Sequence, residues 1–283
     1  MTQPQQTPVL LTGGTGTTGR RIAARLRAAG VAVRQASRTG SPPFDWGHPE
    51  TWAANLAGVE AAYIAFAPDL TMPGAVATVE RFCAAARTAG VERIVLLAGR
   101  GEREAEAAED VVRGSGARWT IVRASWFDQN FSEGMLAAAV RAGVIALPGG
   151  SVAEPFVDAE DIADVAAAAL LDPRHHGRTY DVTGPRLMTF TDVAAELAAV
   201  IGRPVGYLDV SAAEFAAAAV ADGMPADEAV AWATLFTNVL DGRNASLGAG
   251  VDEALGRAPR DFSEFLARTV ADGVWNAPAE AAR

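Results

Sequence analysis

Lysine is absent from this sequence, so all 24 of its Lys or Arg positions are arginine. An active site in which a lysine lowers the pKa of a tyrosine, so that the phenol can donate a proton, is therefore excluded.

Cysteine is nearly absent as well. The single Cys83 cannot form an intrachain disulfide, and its apolar helical surroundings, VERFCAAAR, predict a buried and unreactive thiol.

Positive net charge and long apolar runs are also missing. The formal net charge is -10, so nucleic acid and anionic membranes would repel most of the protein, and we expect neither as a partner. No apolar run approaches the roughly 20 residues that span a bilayer, and the segment MTQPQQTP lacks a basic stretch followed by an apolar one. We therefore expect a cytoplasmic protein.

Metal and serine-hydrolase chemistry have little support in the sequence. The three histidines lack the spacing of metal ligands, and no G-x-S-x-G elbow occurs.

Asp158, Glu160 and Asp161 stand near the start of a predicted helix, where carboxylates stabilise the positive end of the helix dipole. We interpret these three side chains as structural rather than catalytic.

Short apolar runs alternate with helical patterns over the first part of the chain. Runs of about five residues between helices of about twelve are typical of βαβ units that feed a parallel sheet. The predicted strands are 9–12, 31–36, 62–66, 94–98 and 119–122, and the predicted helices are 20–29, 51–56, 75–89, 104–113 and 132–142. Gly30, Gly90 and Gly143 predict left-handed helix caps. The sequence therefore predicts an α/β fold, a Rossmann-type doubly wound parallel sheet.

The pattern changes after Gly149. Short turns, a helix beginning in PFVDAEDIADVAAAALL, a strand at 178–182 and a helix at 190–201 precede an alanine-rich helical stretch. We assign residues 1–150 to an NAD(P)-binding Rossmann domain and residues 151–283 to a smaller, mainly helical substrate lobe. This boundary is soft, because such folds commonly send a late strand back to the main sheet.

A glycine loop, TGGTGTTG, follows the first predicted strand and opens the first predicted helix. Gly13 permits a tight turn, Gly16 lets the backbone approach a pyrophosphate, and Gly19 lets the helix pack closely on the strand. The N–H groups of the first helical turn would face the phosphates. A tight turn with no ligand is the alternative. The predicted cofactor contacts here are Gly13, Thr15, Gly16, Thr17, Thr18 and Gly19.

The end of the second strand predicts which dinucleotide is bound. NAD sites usually place an acidic residue about 20 residues past the glycines, whereas NADP sites place an arginine there. The strand ends at Ser37-Arg38, and the first acidic residue of the chain is Asp45. Arg38 can pair with a 2′-phosphate, so NADP(H) is favoured and NAD(H) remains possible; a solvated surface arginine is the alternative. Asp45 could lie against the adenine edge, and Ala67 is a further candidate contact.

Several segments of the sequence resemble one family. They are TGGTGTTG, FDW at 44–46, AAYIAFAP, RASWFDQNFSEG at 123–134 and PFVDAEDIADVA at 155–166. They are similar to the NmrA-like branch of the atypical short-chain dehydrogenases/reductases, and within it to ergot-alkaloid-type reductases and type 2 NAD(P)H:quinone oxidoreductases. The resemblance covers about residues 7–205 and also 256–266. It implies a Rossmann fold and an NAD(P)-dependent oxidoreductase.

The sequence departs from this family in its catalytic residues. The Tyr-x-x-x-Lys pair of the wider superfamily is impossible without lysine, and the serines that often follow the fourth strand are replaced by Ala98-Gly99-Arg100. The family's Leu-Arg-Pro element keeps Arg123 but has Ala124 in place of proline. We therefore assign no catalytic residue and expect acceptors that are already electrophilic.

Aromatic residues after the fifth strand are candidates for the substrate pocket. Trp126 and Phe127 could form a stacking wall for a planar acceptor, and Asn130 could donate a hydrogen bond to it. Plain core packing is the alternative for each aromatic side chain. Phe131 is expected to pack inward.

Three functions compete on these observations. The first is an NAD(P)H-dependent reductase of a planar conjugated small molecule, such as a quinone, an iminium ion or a polycyclic secondary metabolite. The second is a flavin-free monooxygenase, in which a reduced aromatic polyketide-like quinone reacts with O₂. The third is a redox sensor that binds NADP without turnover. No flavin or metal motif is present, and the oligomeric state is left open.

Overall fold

Strands and helices alternate along the part of the chain that this computed structural model describes, residues 7–134 and 136–275. The strands are β1 (Val9–Leu11), β2 (Val33–Gln35), β3 (Ala61–Ile64), β4 (Arg93–Gly99), β5 (Arg118–Ala124), β6 (Val144–Leu147), β7 (Ala153–Glu154), β8 (Arg178–Val182), β9 (Met188–Thr189) and β10 (Gly206–Asp209). The helices are α1 (Thr17–Ala28), α2 (Trp52–Leu56), α3 (Ala75–Thr88), α4 (Arg103–Gly114), α5 (Ala137–Ala142), α6 (Ala159–Leu171), α7 (Phe190–Ile201), α8 (Ala212–Ala221), α9 (Ala226–Val239), α10 (Gly250–Leu255) and α11 (Phe262–Ala271).

The main sheet has six parallel strands in the order β2-β1-β3-β4-β5-β8. Parallel pairing brings the carboxyl ends of all six strands to one edge of the sheet. The strand order reverses between β1 and β3, and ligands of doubly wound sheets bind outside the carboxyl ends at such a switch point. The predicted Rossmann-type fold is confirmed, and β1 and β3 locate the switch point.

Two compact units share the chain. Among the described residues, the first unit draws on 7–124, 159–182 and 249–257, and the second on 125–134, 136–158, 183–248 and 258–275. The units are thus interleaved rather than divided once near residue 150. The late strand β8 does rejoin the main sheet beside β5, and α10 returns to it as well. A Cβ added at Gly250 would lie 2.6 Å from the Asp181 carbonyl oxygen, so glycine permits this close approach.

The core of the first unit contains the continuous apolar runs of the sheet and a cluster of aromatic rings. Strands of a parallel sheet are covered on both faces, which explains runs such as VLL and AAYI. Trp46, from the FDW segment, has its ring centroid 5.0 Å from those of Phe44, Phe66 and Phe82. Cys83 is buried beside them, and burial raises the pKa of its thiol to about 12, as expected for an unreactive core cysteine.

The second unit contains two small sheets, β6 with β10 and β7 with β9, and a core rich in phenylalanine. Phe131, Phe156 and Phe190 are buried there, with ring centroids 5.3 to 6.3 Å apart. The inward packing predicted for Phe131 is confirmed. No helix in the described residues is long and apolar enough to cross a membrane.

Several predicted elements differ from the observed ones. The helix expected at 132–142 begins only at Ala137, after a 3-10 turn at Asp128–Phe131. A Cβ added at Gly134 would lie 2.7 Å from the Asn130 Cα, so the chain folds back there instead of continuing as a helix. Strands β6, β7, β9 and β10 were not predicted, because two to four residues show little periodicity.

The predicted caps at Gly30, Gly90 and Gly143 have positive φ and are confirmed.

Acidic residues around the start of α6 form ion pairs with arginines. In the first unit, Glu160 accepts from Arg21 at 2.6 Å and from Arg25 at 2.6 Å, and Asp161 accepts from Arg257 at 2.7 Å. In the second unit, Asp158 accepts from Gln129 at 2.8 Å and pairs with Arg268. These partners support the structural interpretation of the three carboxylates.

Glu109 is a fully buried carboxylate that links α4 to β5. It accepts two hydrogen bonds from Arg123, at 2.6 and 2.7 Å, and one from Arg113 at 2.7 Å. The hydrogen bond to Glu109 raises the pKa of Arg123 above its usual range. A buried ion needs such partners, because each charge left alone in the interior carries a large desolvation cost. Arg123 is therefore part of the scaffold.

We expect Glu109→Ala to destabilise the fold by about 3–5 kcal/mol, because it leaves the Arg123 guanidinium without its main partner. Glu106→Ala removes an exposed carboxylate from the same helix and should change stability by at most about 0.5 kcal/mol. Urea unfolding of the two variants tests this. Equal midpoints would show that the Glu109 pair does not stabilise the fold.

Candidate functional site

The carboxyl ends of β1 and β3 are joined by a buried threonine at the switch point. The Thr12 hydroxyl donates to the Tyr63 carbonyl at 3.0 Å and accepts from the Ala65 N–H at 2.9 Å. Thr12 also donates its own N–H to the Tyr63 carbonyl at 3.0 Å. These bonds fix where the chain leaves β1 and therefore where the glycine loop begins.

The glycines of the loop are required by three different contacts. Gly13 has φ +60°, a left-handed conformation that favours glycine. A Cβ added at Gly19 would overlap the Gly13 carbonyl oxygen, so α1 packs directly on the loop backbone. A Cβ added at Gly14 would lie 2.7 Å from the Gln35 Cα and 2.8 Å from the Leu11 oxygen. The role of Gly14 was not predicted; the Gly-Gly doublet is the signal that could have indicated it.

The start of α1 is suited to an anion. Gly16 is the N-cap residue, and no side chain in the described part of the chain caps the helix there. The first turn contains no acidic residue. The positive end of the helix dipole therefore has no carboxylate within its own first turn, and it lies at the edge of the sheet where ligands of this fold bind.

The threonines of the loop take different positions. Thr15 and Gly16 are exposed and Thr17 is half-buried, so these three can face a ligand. Thr18 is buried, and its hydroxyl accepts a hydrogen bond of 2.9 Å from the Tyr63 phenol. For Thr18, the predicted cofactor contact is therefore left to its backbone.

The segment after β2 places Arg38 in the open. Arg38 is exposed in a turn directly after the half-buried Ser37, and within residues 7–134 and 136–275 no hydrogen bond or ion pair holds its guanidinium. The end of β2 is tied to the glycine loop, because the Gln35 amide donates to the Gly14 carbonyl at 2.6 Å and Gly14 donates to the Ala36 carbonyl at 3.2 Å. Arg38 therefore lies on a segment fixed to the loop.

Asp45 and Ala67 are the two remaining candidates for contact with the cofactor. Asp45 is half-buried, and its carboxylate accepts a hydrogen bond of 2.8 Å from the Gly47 N–H. This bond caps a local turn, so part of the carboxylate is used within the chain. Ala67 is exposed in the segment after β3. Their contacts with a cofactor stay predictions.

The residues of the first unit fit a phosphorylated dinucleotide on three observations. The glycine loop exposes its backbone at Gly16 beside Thr15, the adjoining helix has no acidic residue in its first turn, and Arg38 offers a guanidinium with no partner in the described part of the chain. A guanidinium fork matches a phosphate group, whereas ribose hydroxyls are usually bound by a carboxylate at this position. This donor set suits an NAD(P)H dinucleotide.

The aromatic candidates belong to the second unit. Trp126 is half-buried, and its ring centroid lies 5.7 Å from that of Phe190 and 5.5 Å from that of Phe236. Phe127 is also half-buried, and its backbone pairs with Val157. Trp126 therefore has the core packing that was the alternative interpretation, while it keeps part of its surface. The substrate contact remains a prediction for both residues.

Asn130 keeps its amide group available. The Asn130 N–H donates to the Phe127 carbonyl at 3.1 Å, while its side-chain amide has no hydrogen-bond partner among the residues that the structure describes. The carbonyl oxygen of that amide would lie 2.9 Å from a Cβ at Gly134. The spacing N-F-x-x-G in the sequence thus reflects a close approach of Gly134 to Asn130.

One ionisable group at the edge of the main sheet was missed by the sequence analysis. A Cβ added at Gly99, the last residue of β4, would overlap the carboxyl group of Glu102. Glu102 Oε2 is buried and accepts no hydrogen bond in the described structure. Burial, together with the negative charges of Asp69 and Glu104, raises the pKa of Glu102 to about 8. A glycine where the family often has serine is the signal that could have drawn attention to this place.

We expect Gly16→Val to abolish dinucleotide binding while the protein still folds. Gly16 is exposed, and an added Cβ would be 3.2 Å from the Gly13 carbonyl oxygen, so the branched side chain would project where a pyrophosphate must approach. Gly114→Val is the matched control, since a Cβ there meets nothing within 4 Å. Cofactor titrations with fluorescence detection compare the variants. Equal affinities in wild type and Gly16→Val would show that the loop is purely structural.

Comparisons with known proteins agree with this geometry. The NAD(P)H-binding family matches residues 13–173. Agroclavine dehydrogenase of Claviceps fusiformis is 31% identical, over 91% of this chain and 96% of that protein. NAD(P)H azoreductase of Xenophilus azovorans is 32% identical, over 91% of this chain and 96% of that protein. The crystal structure of an Escherichia coli NADPH-dependent quinone oxidoreductase with NADPH superimposes with a TM-score of 0.73, at 23% identity and over 93% and 99% of the two chains. The chain belongs to the NAD(P)H-binding family, in the NmrA-like branch of the atypical short-chain dehydrogenases/reductases.

Proposed function

We propose that this protein is an NADP(H)-dependent reductase of a planar, conjugated small molecule. The observation that carries the proposal is the exposed Arg38, which has no partner among the described residues and lies on a segment fixed to the glycine loop. Bound NADPH would supply a hydride to the acceptor. The residues of the loop and the start of α1 would hold the pyrophosphate, and Arg38 would select the 2′-phosphate.

The tyrosines support an acceptor that is already electrophilic. The Tyr63 phenol donates to Thr18, the Tyr207 phenol donates to the Leu147 carbonyl at 3.0 Å, and the Tyr180 phenol lies 2.7 Å from His175 Nδ1. Burial raises the pKa of each phenol above its usual range. A phenol with a raised pKa is a weak proton donor. Quinones, iminium ions and azo groups accept hydride with less help than a simple ketone.

The names of the relatives support the same substrate class. An agroclavine dehydrogenase and an azoreductase each share about a third of their residues with this chain along nearly the whole length. The half-buried Trp126 and Phe127 offer flat surfaces that can stack against a conjugated ring, with the free amide of Asn130 nearby in sequence. A polycyclic quinone or iminium ion of secondary metabolism fits this description.

We expect NADPH to be oxidised when a quinone, a cyclic iminium ion or an azo dye is added as acceptor. Stopped-flow absorbance of the nicotinamide follows the reaction, an oxygen electrode records O₂, and Gly16→Val is the negative control. Reduced product in equal amount to the NADPH consumed supports the reductase. Oxygen uptake that matches an oxygenated product would instead identify a flavin-free monooxygenase, and tight NADPH binding without oxidation by any acceptor would identify a sensor.

We expect NADP(H) to bind more tightly than NAD(H), and Arg38→Ala to remove most of the difference. A charge-assisted contact contributes on the order of 1.5–3 kcal/mol, or roughly one to two decades of affinity. Arg87→Ala removes an exposed arginine from α3 and serves as the control for the loss of one charge. Calorimetric titration of the wild type and both variants with both cofactors measures six affinities. If the wild type bound NAD(H) as tightly as NADP(H), the assignment of Arg38 would be wrong.

A further inference from the structure

The carboxyl group of Glu102 occupies an unusual place in the first unit. It lies over Gly99, in the space that a side chain at the last position of β4 would take. The carboxyl end of β4 belongs to the edge of the parallel sheet where ligands of doubly wound folds bind. A side chain that turns back over this edge is therefore on the side of the sheet where a bound substrate is expected.

Ordinary structural roles do not account for this carboxyl group. Glu102 is the N-cap residue of α4, but its side chain makes no cap hydrogen bond. Within the described residues no arginine or histidine forms an ion pair with it, and its buried Oε2 accepts no hydrogen bond. Buried carboxylates are nearly always paired, as Glu109 is with Arg123, because a lone buried charge is costly. An uncharged carboxylic acid avoids that cost.

The surroundings favour the protonated acid. Desolvation is the largest cause, and Asp69 in the segment after β3 and Glu104 in the first turn of α4 add negative charge that disfavours a second carboxylate. Together they raise the pKa of Glu102 to about 8, so the group holds its proton at neutral pH. A proton donor with a pKa near the working pH is well suited to general acid catalysis.

We propose that Glu102 is the proton donor of the reduction, the group that protonates the acceptor as the hydride arrives. This inference rests on the proposed reductase function and adds a catalytic residue to it. It also explains why glycine stands at position 99, since any larger residue would displace the carboxyl group.

A hydride leaves NADPH, which becomes NADP⁺, and forms a new bond to the acceptor, which gains two electrons. On a quinone or an azo group, the negative charge that develops on the oxygen or nitrogen takes the proton from the Glu102 carboxyl, whose O–H bond breaks. Glu102 is left as a carboxylate and regains a proton from water before the next turnover. An iminium ion becomes a neutral amine when it gains the hydride and takes no proton from Glu102.

The first test needs neither cofactor nor substrate. Protein labelled with ¹³C at the glutamate carboxyls is titrated by NMR, in wild type and in Glu102→Gln. We expect one carboxyl resonance of the wild type to titrate near pH 8, and that resonance to be missing from Glu102→Gln. If every glutamate of the wild type titrated in the acidic range, Glu102 would be ionised at neutral pH and the proposal would be overturned.

The second test follows single turnovers with NADPH and a quinone or azo acceptor that the wild type reduces, since these acceptors must gain a proton. The wild-type rate should be constant below about pH 8 and fall at higher pH, as the protonated acid is lost. Glu102→Gln should be slower by about 10²- to 10⁴-fold below that pH, and its rate should no longer depend on this ionisation. Glu106→Gln, an exposed carboxylate on the same helix, should behave as wild type.

Gly99→Ala provides a variant that keeps Glu102 and displaces its carboxyl group. The far end of a glutamate side chain can move, so the protein should fold and bind NADPH normally. The displaced carboxyl group should be more exposed to solvent, so the pH at which its ¹³C resonance titrates should be lower. The single-turnover rate of the variant should fall.

The outcomes separate this inference from the proposed function. If none of the acceptors causes the wild type to oxidise NADPH, both the reductase function and the proton donor are overturned. A wild type that reduces an acceptor, beside a Glu102→Gln variant with the same rate and pH profile and normal NADPH affinity, overturns the role of Glu102 alone. A slow, pH-independent Glu102→Gln variant with normal NADPH affinity supports it.

Discussion

The close contact of α1 with the glycine loop is the constraint on which the candidate site depends. A side chain at Gly19 would overlap the Gly13 carbonyl, so the helix can start this near β1 only if position 19 is glycine. That contact sets the first N–H groups of the helix at the carboxyl edge of the sheet. Thr12 holds the neighbouring strand ends at the switch point, and Gly14 lets the end of β2 approach, which brings Arg38 into the same arrangement.

The sequence predicted the main sheet because its signals are local. Continuous apolar runs, helical periodicity and capping glycines each arise within a few residues, and they located five strands of the sheet, with the late strand at 178–182 found from its own run. The interleaving of the two units depends on contacts between distant segments, such as Gly250 with Asp181, which no local pattern shows. The short strands β6, β7, β9 and β10 exist through their pairing partners rather than through their own composition.

In the candidate site, too, residues within a local sequence pattern could be predicted, and a residue placed by distant contacts could not. The glycine loop and Arg38 form a pattern of known spacing, so their positions could be predicted. Glu102 could not, because in sequence it belongs to the charged run RGEREAE, which is typical of a solvated helix start. The raised pKa of its carboxyl group comes first from burial and then from the charge of Asp69, which is contributed by a different loop. For Trp126 the motif could be identified, but the sequence could not separate stacking against a substrate from packing in the core. In the structure its ring contacts two phenylalanine rings and also keeps part of its surface exposed.

The proposed function depends on the passage of hydride from a cofactor on this loop to a conjugated acceptor. The most direct measurement uses NADPH that carries deuterium at the transferred position, with a cyclic iminium ion whose reduced carbon retains the label. We predict that single-turnover oxidation of the cofactor slows by a primary isotope effect and that mass spectrometry finds one deuterium in the product. Reduced product without deuterium, formed at the same rate from labelled and unlabelled cofactor, would contradict the account.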